Sequence, residues 1–431
     1  MKIKTVARMW WGWVFPAGLG VGLLGFLIVA LRYGWLNPLF NDTTHRLGQG
    51  ADFFGVYQTA YDAWRGQSIY LYADAVPGFT QVVPYFYGFV YWPAVAYLAG
   101  LLLLLPPWPA YWAWVGFLCL LVLCALALTW RETSTGAERV LVALMWLCYT
   151  PLYLECHMGQ FTLPLAFLTY AMLLAYERGR FAAGDGCWVA GVLWKQLGLY
   201  LTPLLLRLKR WRTLGVAALL SLASTLPYFM FFPADWTFYW EAQQHPIVIH
   251  AGNLGFQAWL VDLAQRSSLL AQPVVGSFSG VNLLVALWTL GIAVVALLAT
   301  LRPRHFAALE STALWIAVYL LTFKHVWEHH FVWLLPFLVL LVLRRRRPIY
   351  FVLYLLLAVP TPFWLFDLPT GSLDPQPLWS PVVSALYHAS KAWPTLALFA
   401  VLVVDLWQRE RRPLLPSWPW LRRLARCRRS A

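Results

Sequence analysis

Residues able to do chemistry gather in four short stretches of this sequence. The first, Ala51 to Gly66, begins with Asp52, and its Phe53, Val56, Tyr57, Ala60, Tyr61 and Trp64 recur at helical spacing. That spacing predicts an interfacial amphipathic helix ending at Gly66. A carboxylate at its head has two readings, a functional group or a cap that accepts backbone N–H bonds and favours the helix dipole. The second stretch, Lys324-His325-Val326-Trp327-Glu328-His329-His330, joins two apolar runs. Such groups are costly to desolvate at a membrane and normally pair with an anion, a metal or one another. The order is not HExxH, and neighbouring side chains on a helix point about 100° apart, so a phosphate suits the cluster better than a metal ion. A polar interfacial loop is the plain alternative. The third is Lys195, flanked by apolar residues, where snorkelling suits only a position near an interface. The fourth is Glu155-Cys156-His157-Met158-Gly159-Gln160, which ends one apolar run and starts the next and also reads as a simple polar turn.

The elements that position these residues must be membrane helices. Of 431 residues, 61% are hydrophobic and only 12% charged, which is too few charges to cover a water-soluble globule of this size. The excess of 32 Lys+Arg over 18 Asp+Glu lies in clusters between apolar runs, the pattern of cytoplasmic loop anchors and not of nucleic-acid binding. The six cysteines are scattered without a CxxC pair or metal framework. Apolar runs cover about 11–33, 109–130, 139–154, 161–176, 213–232, 281–301, 310–322, 331–343, 348–366 and 386–407. The first carries no small-residue cleavage site and reads as a span, not a signal peptide.

All the basic clusters can be cytoplasmic at once if 81–105, broken by Pro84, Pro93, Pro106 and Pro107, is re-entrant, and if 188–206 is a hairpin of half-helices around Lys195. The alternative is that one of them is a full span and a loop breaks the charge rule. With the first arrangement all four reactive stretches and seven of the nine histidines face away from the cytoplasm. The cytoplasmic loops are short, with no P-loop and no GxGxxG before a helix, which excludes a nucleotide-driven pump. The expected organisation is a single transmembrane domain over 1–407, with extracytoplasmic segments 34–80 and 233–280, and a basic cytoplasmic tail over 408–431 that rests on anionic lipid.

In order along the chain, the motifs resemble the polytopic GT-C glycosyltransferases of family 87, which include polyprenyl-phosphate-mannose-dependent mannosyltransferases. Asp52-Phe53 with Tyr57, Ala60, Gly66 and Tyr70 is similar to the family's first outer segment, and Phe89-Val90-Tyr91-Trp92-Pro93 to its FxYxP motif. Gly159-Gln160 resembles its NxGQ motif, with His157 where Asn is usual. Gly191, Lys195, Pro203 and the Arg207–Arg212 cluster resemble its G…K…P…RRW stretch, and Trp327-Glu328-His329 its WEH. The resemblance implies an all-α polytopic membrane protein of GT-C fold, with about ten to thirteen transmembrane helices, some re-entrant or broken, and amphipathic helices in the first outer loop. It implies Asp52 as catalytic base and His329 as a catalytic partner. Substrate would be bound by Lys195, Gln160, His157, Tyr91, Lys324, His325, Glu328 and His330, with no metal and no cofactor. A polyprenyl-phosphate sugar would be the donor and a lipid-linked or glycan molecule the acceptor, at the outer face of the plasma membrane, with both termini cytoplasmic. A transporter or flippase for a lipid-linked sugar is the alternative, since it too needs buried charge and broken helices. Internal inverted repeats, which would favour it, are not evident in the sequence.

Overall fold

The computed structural model describes residues 10–40, 48–70, 78–85, 89, 91–244, 247, 249–265, 273–275, 278–302, 306–361 and 376–409. The basic tail lies almost wholly outside them. The described chain is helical apart from two short antiparallel strands, β1 (Pro273–Val275) and β2 (Phe278–Ser279). Five helices are individually long and apolar enough to cross a bilayer: Gly12–Tyr33, Pro107–Trp130, Trp211–Phe231, Gly280–Leu301 and Pro381–Gln408. This is an all-α polytopic membrane protein.

Labelled in chain order, the helices are α1 (Phe15–Tyr33), α2 (Ala51–Trp64), α3 (Pro93–Leu98), α4 (Pro107–Trp130), α5 (Gly136–Leu147), α6 (Thr150–Met158), α7 (Thr162–Glu177) and α8 (Phe181–Trp194). They continue as α9 (Thr202–Arg207), α10 (Trp211–Phe231), α11 (Pro233–Gln244), α12 (Phe256–Gln265), α13 (Gly280–Leu301), α14 (Ala308–Thr322), α15 (Leu335–Arg345), α16 (Pro348–Ala358) and α17 (Pro381–Arg409). Of the expected ten to thirteen transmembrane helices, some re-entrant or broken, several are shorter or broken apolar runs, each for a local reason. The run 139–154 is two helices, α5 and α6, bent by 45°. Pro151 has no N–H for the carbonyl four residues back and instead opens a new helix in its first turn. The run 348–366 ends as helix at Ala358, because Val359 before Pro360 is extended. The run 331–343 begins inside a 3-10 turn, Glu328–Leu334, and is α-helical only from Leu335.

Both expected irregular segments are broken. The 81–105 stretch forms only α3 and a 3-10 turn, Ala99–Leu104, stopped by extended Leu105 and two prolines. In 188–206, α8 stops at Trp194, Lys195 is extended, and a 3-10 turn (Gln196–Leu201) leads into α9. The turn folds back on α8. Trp188 Nε1 donates to the Gly198 carbonyl at 3.0 Å, and a Cβ on Gly198 would sit 3.1 Å from the Val192 nitrogen. Residues 188 and 198 would lie about 15 Å apart on a straight helix.

One end of the bundle is tied by ion pairs. Arg344 pairs with Glu177 through two bonds of 2.6 and 3.0 Å and with Glu132 at 3.3 Å. Arg346 pairs with Glu138 at 3.0 Å, Arg345 with Glu310, Arg347 with Asp405, and Arg139 Nη1 donates to the Gly12 carbonyl at 2.5 Å. Glu132, Glu138, Glu177, Glu310 and Asp405 therefore share this face with the arginines of 344–347. Helix α7 runs from it to Thr162 over roughly 22 Å, so the residues around Thr162 belong to the opposite end.

Candidate active site

Helix α2 begins not with a side-chain cap but with Gly50 in the left-handed conformation, φ 79°. Its start is pinned to the end of α6. Gly50 N donates to the His157 carbonyl at 2.7 Å, and Tyr111 Oη of α4 donates to the Cys156 and His157 carbonyls at 3.0 and 3.2 Å. Helix α6 ends at Gly159, φ 64°, where a Cβ would lie 2.6 Å from Cβ of Phe53. Only glycine permits this approach without strain. The next residue, Gln160, is thereby set against Asp52, and its Nε2 donates to Asp52 Oδ2 at 2.6 Å. Asp52 thus spends its carboxylate on a tertiary partner, while the helix N-cap is Gly50, which has no side chain to cap with.

Lys195, 5% exposed, donates from Nζ to Thr162 Oγ1 at 2.9 Å and lies 5.7 Å from the centre of the Tyr91 ring. Its charge reaches Asp52. Burial pushes the Asp52 carboxyl up to about 6, against the opposing pull of the Gln160 hydrogen bond and the Lys195 ammonium. Lys195 also lies within electrostatic reach of Glu155 and His329, and Tyr91 within reach of Asp52 and Glu155. His329 is 1% exposed and neither ring nitrogen has a hydrogen-bond partner; its contact is edge-to-face with His330 at 4.5 Å. Around this group runs an aromatic stack: Tyr91 meets Phe161 at 5.9 Å, Phe161 meets Trp114 at 4.9 Å, and Trp114 lies over Trp194 at 5.8 Å. Trp114 and Trp194 also donate to the Gln160 and Phe161 carbonyls, fixing the turn that carries Gln160.

The structure therefore brings together Asp52, Gln160, Lys195, Tyr91 and His329 from α2, the α6–α7 turn, the break after α8, the 89–93 segment and the 3-10 turn before α15. Of the other expected residues, His330 stays beside His329 in the field of Lys195, and the rest are engaged elsewhere. His157 is buried with its ring stacked on Tyr153 at 5.9 Å, and its contribution to the site is its backbone carbonyl. Glu328 is buried in an ion pair with Lys391 of α17 at 3.3 Å and accepts from Thr361 N and Oγ1 at 3.0 and 2.9 Å, so it binds the fold together instead of facing a ligand. His330 Nδ1 is 2.7 Å from Tyr319 Oη. Lys324 and His325 are half-buried on a loop tied to Asn253, whose Nδ2 donates to the Lys324 carbonyl at 2.8 Å. One member was not expected, Thr162, the partner of Lys195, and Glu155, fully buried, was singled out only as part of its stretch, without a role in the site. Among the described residues no three His, Cys, Asp or Glu side chains are grouped as metal ligands.

A carboxylate that retains its proton until about pH 6 beside an ammonium and an imidazole with free nitrogens can accept a proton from a hydroxyl while positive and N–H groups receive a leaving anion. Comparison with known proteins gives one family: the model of Glycosyltransferase family 87 matches residues 89–323, just over half of the chain. No curated protein matches the chain.

Proposed function

The chain belongs to glycosyltransferase family 87, and on that premise we propose that it is an inverting enzyme taking a sugar from a polyprenyl-phosphate donor to a lipid-linked or glycan acceptor. The acceptor oxygen attacks the anomeric carbon, the bond from that carbon to the phosphate oxygen breaks, and Asp52 takes the hydroxyl proton. The prenyl phosphate leaves with the bonding pair. Lys195 and His329 stabilise the charge that gathers on it, and Gln160 holds Asp52 while Tyr91 flanks the donor. Mannose or another hexose, or arabinose, is the sugar. The site opens on the extracytoplasmic side of the plasma membrane, with both termini and the 408–431 tail cytoplasmic, because the ion-paired basic clusters stand at the other end of α7.

The observation that carries this reading is the Asp52–Gln160 hydrogen bond, 2.6 Å long, formed where a helix cap would have spent the carboxylate locally. The test is transfer from a radiolabelled prenyl-phosphate sugar by purified wild-type, Asp52→Ala and Asp52→Asn proteins. Loss of transfer in both variants is expected; wild-type rates in both would remove the base. Movement of labelled lipid across a vesicle membrane without any transfer would assign the chain to transport.

A further inference from the structure

Glu155 stands behind the site and has no role in the chemistry above. It is 0% exposed. Its Oε1 accepts from Leu163 N at 2.5 Å, so one oxygen closes the N-terminus of α7, where Phe161 supplies no side-chain cap. Its other oxygen, Oε2, has no hydrogen-bond partner. A carboxylate left half satisfied in a buried position needs a compensating charge, and the cation in its field is Lys195. Lys195 in turn is hydrogen-bonded to Thr162, the first residue of the helix that Glu155 caps. Helix end, carboxylate and ammonium thus form one unit, and the second carboxylate in the field of Lys195 is Asp52.

We propose that Glu155 is a positioning residue: it holds the Lys195 ammonium at Thr162, against the pull of Asp52, at the place where the donor phosphate is received. Asp52 is closer to the solvent than Glu155 and would draw a mobile ammonium into an ion pair of its own, tying up both the base and the phosphate-binding charge. Glu155 offsets that attraction from behind. The inference rests on the assignment of Lys195 to the donor phosphate.

The test is a double-mutant cycle on the full-length protein, reading kcat/KM for transfer and, separately, affinity for prenyl monophosphate. Glu155→Gln retains the size of the side chain and an oxygen for Leu163 N, so the cap survives while the charge is lost. It is expected to lower kcat/KM and prenyl-phosphate affinity by about 10-fold or more in the wild-type background and by less than about 2-fold in Lys195→Met, the non-additivity of residues acting through one another. Equal losses in both backgrounds, or wild-type values for Glu155→Gln, would overturn the proposal and leave Glu155 as a helix cap or spectator. The affinity measurement decides where Lys195→Met transfers too slowly to assay. Wild-type kcat/KM and affinity in Lys195→Met itself would instead sink the assignment of the phosphate site, a result distinct from additive losses.

Discussion

In the proposed mechanism Asp52 works only after losing its proton, and its surroundings favour keeping it. Burial raises the Asp52 carboxyl from the ordinary 3.8 to about 6, so the fold is stabilised by its neutral form below pH 3.8, and that contribution is lost as pH rises through 6. The proposed catalysis runs the other way. With ionised Asp52 as the proposed base, kcat/KM is expected to rise with pH through about 6 and then level, and Asp52→Asn should abolish that limb with a loss of roughly 10²- to 10⁴-fold. Asparagine mimics the neutral acid, so the same variant should melt at an equal or higher temperature at pH 7, as a thermal scan in detergent would record. A lower melting point would mean that the ionised group also supports the fold. His329→Ala is expected to cost about 10²-fold in kcat, with a smaller change in acceptor KM, if its nitrogens act on the departing phosphate. Of these roles, a cap and a base could not be told apart in the sequence, because Asp52 sits at a helix start in both. Gln160, the partner that supports the proposed base, is 108 positions away.

Elements deliver these side chains through close contacts that the sequence marks only as glycines. At Gly159 the left-handed backbone and the 2.6 Å approach of Phe53 leave no room for a methyl group. Gly159→Ala should push α2 from the α6–α7 turn, stretch the Asp52–Gln160 bond and reduce transfer by about 10²-fold, the effect of a displacement near 1 Å at a reacting centre. Gly66→Ala, also at positive φ but with open space around it, should leave transfer within a few-fold of wild type. The 3-10 turn carrying His329 depends on the buried Glu328–Lys391 pair. Glu328→Gln leaves a buried ammonium and is expected to destabilise by roughly 3–5 kcal/mol, with Lys391→Met restoring part of it in the double variant. Unfolding curves of the three proteins check this, and no recovery in the double variant would show that the two groups are not coupled. Long unbroken helices were readable from their apolar runs, and so was the break at Lys195, since a buried charge argues against a straight span. The α5–α6 bend was not, because Pro151 sits inside a run whose hydropathy does not change.

Over the whole molecule, charge is sorted by height. Ion pairs of Arg344, Arg345, Arg346 and Arg347 tie one face, and the reactive group occupies the other end of α7. Single cysteines placed at exposed Gly66 and exposed Ser134 in a cysteine-free variant should therefore react differently in intact cells. A membrane-impermeant thiol reagent is expected to label the first and spare the second until the membrane is opened, and the reverse pattern would invert the proposed orientation. That sorting was legible in the basic clusters, whereas the acidic partner of each arginine was not, since Glu132, Glu138, Glu177, Glu310 and Asp405 lie far from it in sequence. The stacked indoles Trp114 and Trp194 add one more property: their planes are 25° apart and the second is the backbone neighbour of Lys195. Two chromophores at that spacing share their electronic excitation, so if an anion docks at Lys195 as proposed, a shift of the lysine's peptide is expected to change the near-ultraviolet circular dichroism, an optical gauge of occupancy readable without a label.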